Sequence, residues 1–244
     1  MKLNEDKCKV LIREPRSEAI SEVEVCGKMY KTTEPLRYLG IYLTARLERP
    51  KTVRTRSRDA VRVSKSIMSF LKKHRPTWEV GRIIYETVIA PAMLYGTQIS
   101  VLTKYSRKSL RGYERQIVEG MAALCRNGDS HIPLPASVNA LLQKRGITKK
   151  VRMYQLRWWG HVYRRASNHP TRVAARLRPN RLRSCRPSFT WWDMVQQNME
   201  RYGDLSYDEW KLLALNREHF HLKLKDIFEI QESECSDNGT INSC

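Results

Sequence analysis

Arginine and tryptophan are the residues whose type and spacing could do chemistry in this sequence. They concentrate in Val151–Asp193, VRMYQLRWWGHVYRRASNHPTRVAARLRPNRLRSCRPSFTWWD, which holds four of the six tryptophans. From Ser130 to Trp192 there are fourteen Lys or Arg and no Asp or Glu. Guanidinium grips phosphate through paired N–H donors, and indole rings stack on unpaired bases. A long stretch of one sign needs a polyanion or stays extended by self-repulsion, and its aromatics argue against simple disorder. Arg157, Arg164, Arg165 and Arg186 are therefore candidate phosphate contacts. Trp159, with one of Trp191 and Trp192, is a candidate base-stacking surface, whereas Trp158 lies on an apolar helix face and is expected in the core.

A second basic pattern lies upstream. Arg54, Arg58 and Arg62 stand at i, i+4 and i+8, one stripe of a helix, extended by Lys65 and Lys72. Like charges at that spacing destabilise an isolated helix, so the stripe reads as a phosphate-contacting face rather than a solvated one.

Catalytic patterns are missing. The sequence has no phosphate-loop, nucleophile-elbow or H-E-x-x-H motif. The adjacent Glu5 and Asp6 do not converge as a two-metal site requires. His161, His169 and Cys185 match no zinc spacing, and the six cysteines form no C-x-x-C pair, so free thiols and no bound metal are expected.

The net charge of +20 is unevenly spread. Residues 1–45 carry eight bases and seven acids, residues 46–129 eighteen and seven, and residues 193–244 five and eleven. The binding surface should lie mid-chain, with an acidic end that folds back or aids solubility. No apolar run is long enough for a bilayer span, so no membrane partner is expected. The charged start is unlike a signal peptide, which implies an intracellular protein. The arginines of residues 172–186 resemble an import signal, compatible with the nucleus.

These residues must be positioned by elements. Val23 and Val25 alternate with Glu22 and Glu24 before Gly27, predicting a β-hairpin over Ser21–Lys31, and Leu36–Leu43 predicts a third strand. From Thr52 the period becomes helical to about His74. A second helix spans Trp78–Ile89, with Val80, Ile83, Ile84, Thr87 and Val88 as its core stripe, broken at Pro91. Ala92–Leu102 is nearly all apolar, and another helix covers Ser106–Leu124. Asn127–Pro135 is a linker. A short helix, Ala136–Lys144, follows, then one capped by Thr148 with Val151, Tyr154, Trp158 and Val162 on one face. Residues 167–187 predict an extended arm. Helices Ser188–Tyr202 and Ser206–Phe220 follow, the second with a capping box at Ser206 and Glu209. Glu229–Cys244 reads as disordered.

The order of these landmarks resembles the C-terminal part of the endonuclease–reverse transcriptases of non-LTR retrotransposons. Lys2–Ile12 resembles the end of palm motif D, with Asn4 and Lys7 at its marked positions. Arg37–Ile41, RYLGI, is similar to the primer-grip motif E, and Thr52–Lys73 to the first thumb helix. Tyr85–Gly96 resembles Y-x-x-V-x-x-P-x-x-x-Y-G, Leu156–Arg164 resembles L-R-W-x-G-H-V-x-R, and Arg186–Val195 resembles G-R-P-x-x-x-W-x-D-x-V. The sequence departs from that pattern at Cys185, Asn198 and Asn216-Arg217. It also lacks the palm aspartates, including Y-x-D-D, that would hold Mg2+ against a triphosphate.

The resemblance implies a mainly α fold, a thumb-like helical bundle with a small N-terminal β-hairpin remnant of a palm. It implies four regions: 1–45 palm remnant, 46–127 thumb-like, 128–220 basic, and 221–244 acidic tail. Tyr38, Leu39 and Gly40 would position a primer end. Arg54, Arg58, Arg62 and Lys65 would follow the template–primer backbone, and the arginines of the basic region would hold element RNA or target DNA. No cofactor and no catalysis are expected of this chain alone. The alternatives are a subunit completed by a separate palm-bearing chain and a degraded transposon fragment without a function.

Overall fold

The computed structural model describes residues 9–11, 22–25, 27–32, 36–38, 41–43, 50–127, 134–176, 189–202 and 205–237. Among the described residues the fold is mainly helical, and the β-strands lie in the N-terminal part.

Strands β1 (Glu22–Val25) and β2 (Lys28–Lys31) form the expected antiparallel hairpin, in the register Glu22↔Lys31 to Val25↔Lys28. Gly27 sits at φ +78°, a left-handed conformation that glycine adopts without a Cβ penalty. Val23 and Tyr30 are cross-strand partners and half-buried, whereas Val25 and Met29 are exposed. The single strand expected over Leu36–Leu43 is instead two, β3 (Leu36–Tyr38) and β4 (Ile41–Leu43), paired antiparallel with Tyr38 opposite Ile41. The β-branched and aromatic content does form strands, but the chain reverses between them. The two hairpins are separate two-stranded sheets.

Helix α1 (Pro50–His74) buries Val53, Ser57, Ala60, Ser64 and Leu71, with Ile67 half-buried. Those positions alternate steps of four and three, the seam of a helix packed lengthwise on a neighbour. Its neighbours are α4 (Lys104–Ala122) and α3 (Ala90–Leu94). The small residues Ser57, Ala60 and Ser64 allow close approach. Both buried hydroxyls are satisfied within the helix, Ser57 Oγ donating to Val53 O at 2.9 Å and Ser64 Oγ to Val61 O at 2.8 Å. Removing Leu71 from water alone contributes about 2 kcal/mol.

Helix α2 (Trp78–Ile84) runs through a π segment (Tyr85–Ile89) into α3. The Ala90 N–H donates to Tyr85 O, five residues back. The π turn resets the helical phase, and the core side is Trp78, Gly81, Tyr85, Ile89, Ala90, Met93 and Leu94. Of the stripe expected to be buried, Val80, Ile83 and Val88 are exposed, Thr87 is exposed, and Ile84 is half-buried. Gly96, at φ +79°, turns the chain into a 3-10 turn at Thr97–Ile99.

Helix α5 (Leu134–Lys144) leads into α6 (Ile147–Tyr163). Gly146, not Thr148, is the N-cap of α6, and no side chain on that helix caps it. The cap comes from α4: the Ile147 N–H donates to Glu114 Oε1 at 2.8 Å, and Tyr85 Oη donates to the same oxygen at 2.7 Å. One buried carboxylate thus ties the π segment, α4 and α6 together.

Residues 170–176 form a short helix, α7 (Pro170–Arg176), rather than an extended arm. Arg172 anchors it, donating from Nη1 to Arg165 O at 2.7 Å and lying 4.6 Å over the Tyr163 ring. Helix α8 (Trp191–Tyr202) follows, then α9 (Tyr207–Leu215), whose capping box at Ser206 and Glu209 is present as expected. Helix α10 (Arg217–Asp237) continues as helix eight residues beyond the expected disordering point at Glu229.

Two cores exist among the described residues. The first gathers α1 to α5, the start of α6, and Met194. The second gathers Leu156 and Trp159 of α6 with Val195, Met199, Trp210, Phe220 and Leu224. The first core crosses the linker expected around residue 128, because Val138, Leu141, Ile147 and Val151 belong to it. Helix α6 serves both cores. A buried amide chain joins them: Gln155 Nε2 donates to Thr97 O and Ser100 O, each at 3.2 Å, and Asn198 Nδ2 donates to Gln155 Oε1 at 2.9 Å.

Gly160 marks the closest approach in the second core. A Cβ there would overlap the Phe220 ring. Gly-to-Ala in a helix interior normally stabilises by about 1 kcal/mol. Here the clash should reverse the sign, and Gly160→Ala is expected to lower stability by about 1–3 kcal/mol in urea denaturation. Adding Phe220→Leu should restore part of the loss, because the smaller side chain can yield.

Candidate nucleic-acid interface

The α1 stripe is where the heptad seam puts it, on the side away from α3 and α4. Arg54, Arg58, Arg62, Lys65 and Lys72 are all exposed. From Arg54 to Lys72 the stripe is roughly 27 Å long at the helical rise. Asp59 is the one acidic residue in α1. It pairs with Arg62 at 3.3 Å, an i,i+3 pair whose arginine stays 81% exposed, so the pair subtracts little from the stripe's field. Arg56, off the stripe, lies 4.6 Å over the Tyr95 ring.

The basic region divides. Arg157 is exposed and lines a groove of about 830 Å³ between α6 and α10, together with His161, Arg164, Arg217, Glu218 and His221. Arg164 is half-buried and donates from Nη1 to Ala214 O at 2.8 Å, which caps the end of α9. Part of its donor capacity is therefore structural. Burial and then the Arg217 charge hold the Arg164 guanidinium below its usual value. Arg165 is exposed beside the groove, with Nη2 at 3.3 Å from His161 Nε2.

His161 stacks on Trp158, ring centroids 5.1 Å apart and planes 27° from parallel. Its pKa is held below the usual histidine range by burial first, then by Arg165, Arg164, Arg217 and His169. A depressed value keeps the imidazole neutral near neutral pH, able to donate to or accept from a ligand without adding charge.

Trp159 cannot stack on a base in this fold. It is fully buried, 5.1 Å from Tyr163 and 6.0 Å from Phe220 between ring centroids. Of the expected α6 face, Val151 and Val162 are buried and Tyr154 and Trp158 half-buried, while Trp159 beside Trp158 turns into the second core. Trp191 and Trp192 are also half-buried: Trp191 Nε1 donates to Gln98 O at 2.8 Å, and Arg176 lies 5.4 Å over the Trp192 ring. Tyr38 is 60% exposed on β3. Leu39, Gly40 and Arg186 lie outside the described residues, as does Cys185 of the rejected zinc set.

Other cations converge without any motif to mark them. Lys144, Arg145, Lys149, Lys150 and Lys225 line a hollow of about 380 Å³ with Glu86, which pairs with Arg145 at 3.4 Å. The acid-free window from Ser130 contains the first four of these, so composition signalled them while spacing did not. Among the described residues, no group of three or more His, Cys, Asp or Glu is placed to hold a metal ion. No described helix is long and apolar enough to cross a membrane.

No family model, no curated protein and no solved structure matches the chain.

Proposed function

We propose that this chain binds RNA or DNA through the exposed α1 stripe, without catalysing a reaction, as the thumb and C-terminal part of a reverse transcriptase of the non-LTR retrotransposon type would. The observation that carries the reading is the stripe itself. Four exposed cations, Arg54, Arg58, Arg62 and Lys65, follow one another along a rigid helix with one acid nearby. A rigid row of cations suits a backbone whose phosphates repeat at fixed spacing, and the contact would be sequence-tolerant. Arg157, Arg164, Arg165 and Arg217 offer a second basic surface to the same polymer. The chain would work inside the cell, the nucleus included.

Fluorescence anisotropy with labelled duplex and single-stranded oligonucleotides tests the reading. Saturable binding near physiological salt is expected, and no binding to RNA or DNA at low salt would overturn it.

The exposed Val25, Met29 and Tyr38 on the two small sheets favour one further reading, a palm-bearing chain docked on the β edges. Mg2+ and the polymerase carboxylates would belong to that chain. Purified protein alone should show no primer extension with Mg2+ and deoxynucleoside triphosphates, and measurable extension would refute a non-catalytic chain.

A further inference from the structure

We infer that Arg107 of α4, Arg152 of α6 and Arg201 of α8, with the carboxamides of Gln197 and Asn198, form a phosphate-binding pocket separate from the α1 stripe and from the α6–α10 groove. These residues line a cavity of about 510 Å³ together with Glu200. That volume lies within the range of small-ligand sites, roughly 300–1,000 Å³. Three different helices deliver the three guanidiniums, so the cluster is a product of the tertiary fold and not of one basic run.

The pocket is partly built. Asn198 is buried, and its amide is held by the bond to Gln155 Oε1. The Arg152 guanidinium is fixed by donating from Nη1 to Tyr202 Oη at 3.1 Å and lies 6.0 Å over that ring. Arg107 is half-buried, and its pKa is lowered by burial first, then by Arg152, Arg201 and Arg111 in turn. The fields of four cations therefore meet at one place. Among the described residues, none of Arg107, Arg152 and Arg201 is in an ion pair with an acid. Glu200, the one carboxylate in the lining, is exposed. Converging cations without a counter-ion repel one another, and a bound anion relieves that repulsion. A carboxylate has one charge and two oxygens and serves one arginine fork. A phosphate group has more charge and more oxygens and can serve several forks at once.

Pyrophosphate is the probe, with ionic strength held constant by sodium chloride. At saturation it should raise the thermal midpoint of the wild type by about 3 °C or more. Arg107→Gln with Arg201→Gln should abolish that rise and weaken pyrophosphate binding at least tenfold in calorimetry. If the double variant does not fold, Arg201→Gln alone, at an exposed position, should weaken binding about fivefold. An equal rise from sodium chloride, or variants that keep the wild-type response, would overturn the pocket. A protein neutralised at Arg54, Arg58, Arg62 and Lys65 should keep its pyrophosphate response, so failure of the α1 reading and failure of the pocket are distinguishable. A second comparison identifies the source of the phosphate. A 5′-phosphorylated oligonucleotide that binds tighter than its 5′-hydroxyl twin, in a manner lost in the double variant, assigns the pocket to a nucleic-acid end. Equal binding of the two, with the pyrophosphate response intact, assigns it to a free phosphorylated small molecule.

Discussion

Glu114→Ala is expected to destabilise the protein by about 3 kcal/mol, a loss of roughly two orders of magnitude in the folding equilibrium. Glu114 is 2% exposed and accepts from the Tyr85 hydroxyl and the Ile147 N–H. Alanine would leave both donors unpaired in the core and remove the negative charge at the start of α6, where the helix dipole favours one. Tyr85→Phe removes one partner and keeps the cap, so it should cost less, about 1–2 kcal/mol. Urea denaturation of the three proteins measures the order.

The same carboxylate has a signature in pH. Burial raises its pKa, against opposing effects of the Tyr85 and Ile147 hydrogen bonds and the Lys150 charge. The folded state therefore holds this proton more tightly than the unfolded chain, whose carboxyl titrates at roughly 4.3. In the window between that value and the raised folded value the native state binds more protons. Stability contributed by Glu114 is full below the window and falls as pH rises through it. Glu114→Gln retains an oxygen acceptor without the charge. The difference between its profile and the wild type's should grow in the mutant's favour as pH rises through the window, then level off. A flat difference would contradict a buried, titrating Glu114.

The second large effect concerns binding. A protein carrying Arg54→Gln, Arg58→Gln, Arg62→Gln and Lys65→Gln should bind nucleic acid about 100-fold more weakly near physiological salt. Its thermal midpoint should hardly move, because all four side chains are exposed and exposed substitutions cost within about 0.5 kcal/mol each. Relief of like-charge repulsion along the helix acts in the stabilising direction. Weak binding with an intact fold separates a contact surface from a structural one. An unchanged affinity would move the binding surface away from α1.

Helix α1 was legible because one apolar seam faces one set of neighbours, so its period fixed both the buried side and the opposite basic stripe. The neighbouring rod was not. The stripe expected on α2 took Val80, Ile83 and Val88, but the buried side is Trp78, Gly81, Tyr85, Ile89 and Met93. Nothing in the local pattern announces a π turn, and Tyr85 at its start meets its partner, Glu114, 29 residues away. Helix α6 defeated a single-stripe reading for another reason. It contributes Ile147 and Val151 to one core and Leu156 and Trp159 to the other, so its apolar residues wrap the helix. Gln155, polar and fully buried, is explained only by acceptors at Thr97, Ser100 and its partner Asn198, which are distant in sequence. The cap of α6 is equally non-local, since Glu114 lies 33 residues before the N–H it accepts from. At the candidate site, composition located the charge, and helical periodicity ordered it on α1. Convergence across helices, as at Arg107, Arg152 and Arg201, needed the tertiary fold.

A salt titration of duplex binding by the wild type and the four-site variant tests the phosphate-backbone interface on α1. Each neutralised phosphate contributes about 0.9 to the slope of log affinity against log salt concentration. The wild type should fall with a slope of about −4 or steeper, and the variant's slope should be shallower by about 3 to 4. A wild-type affinity independent of salt, or equal slopes for the two proteins, would contradict the interface.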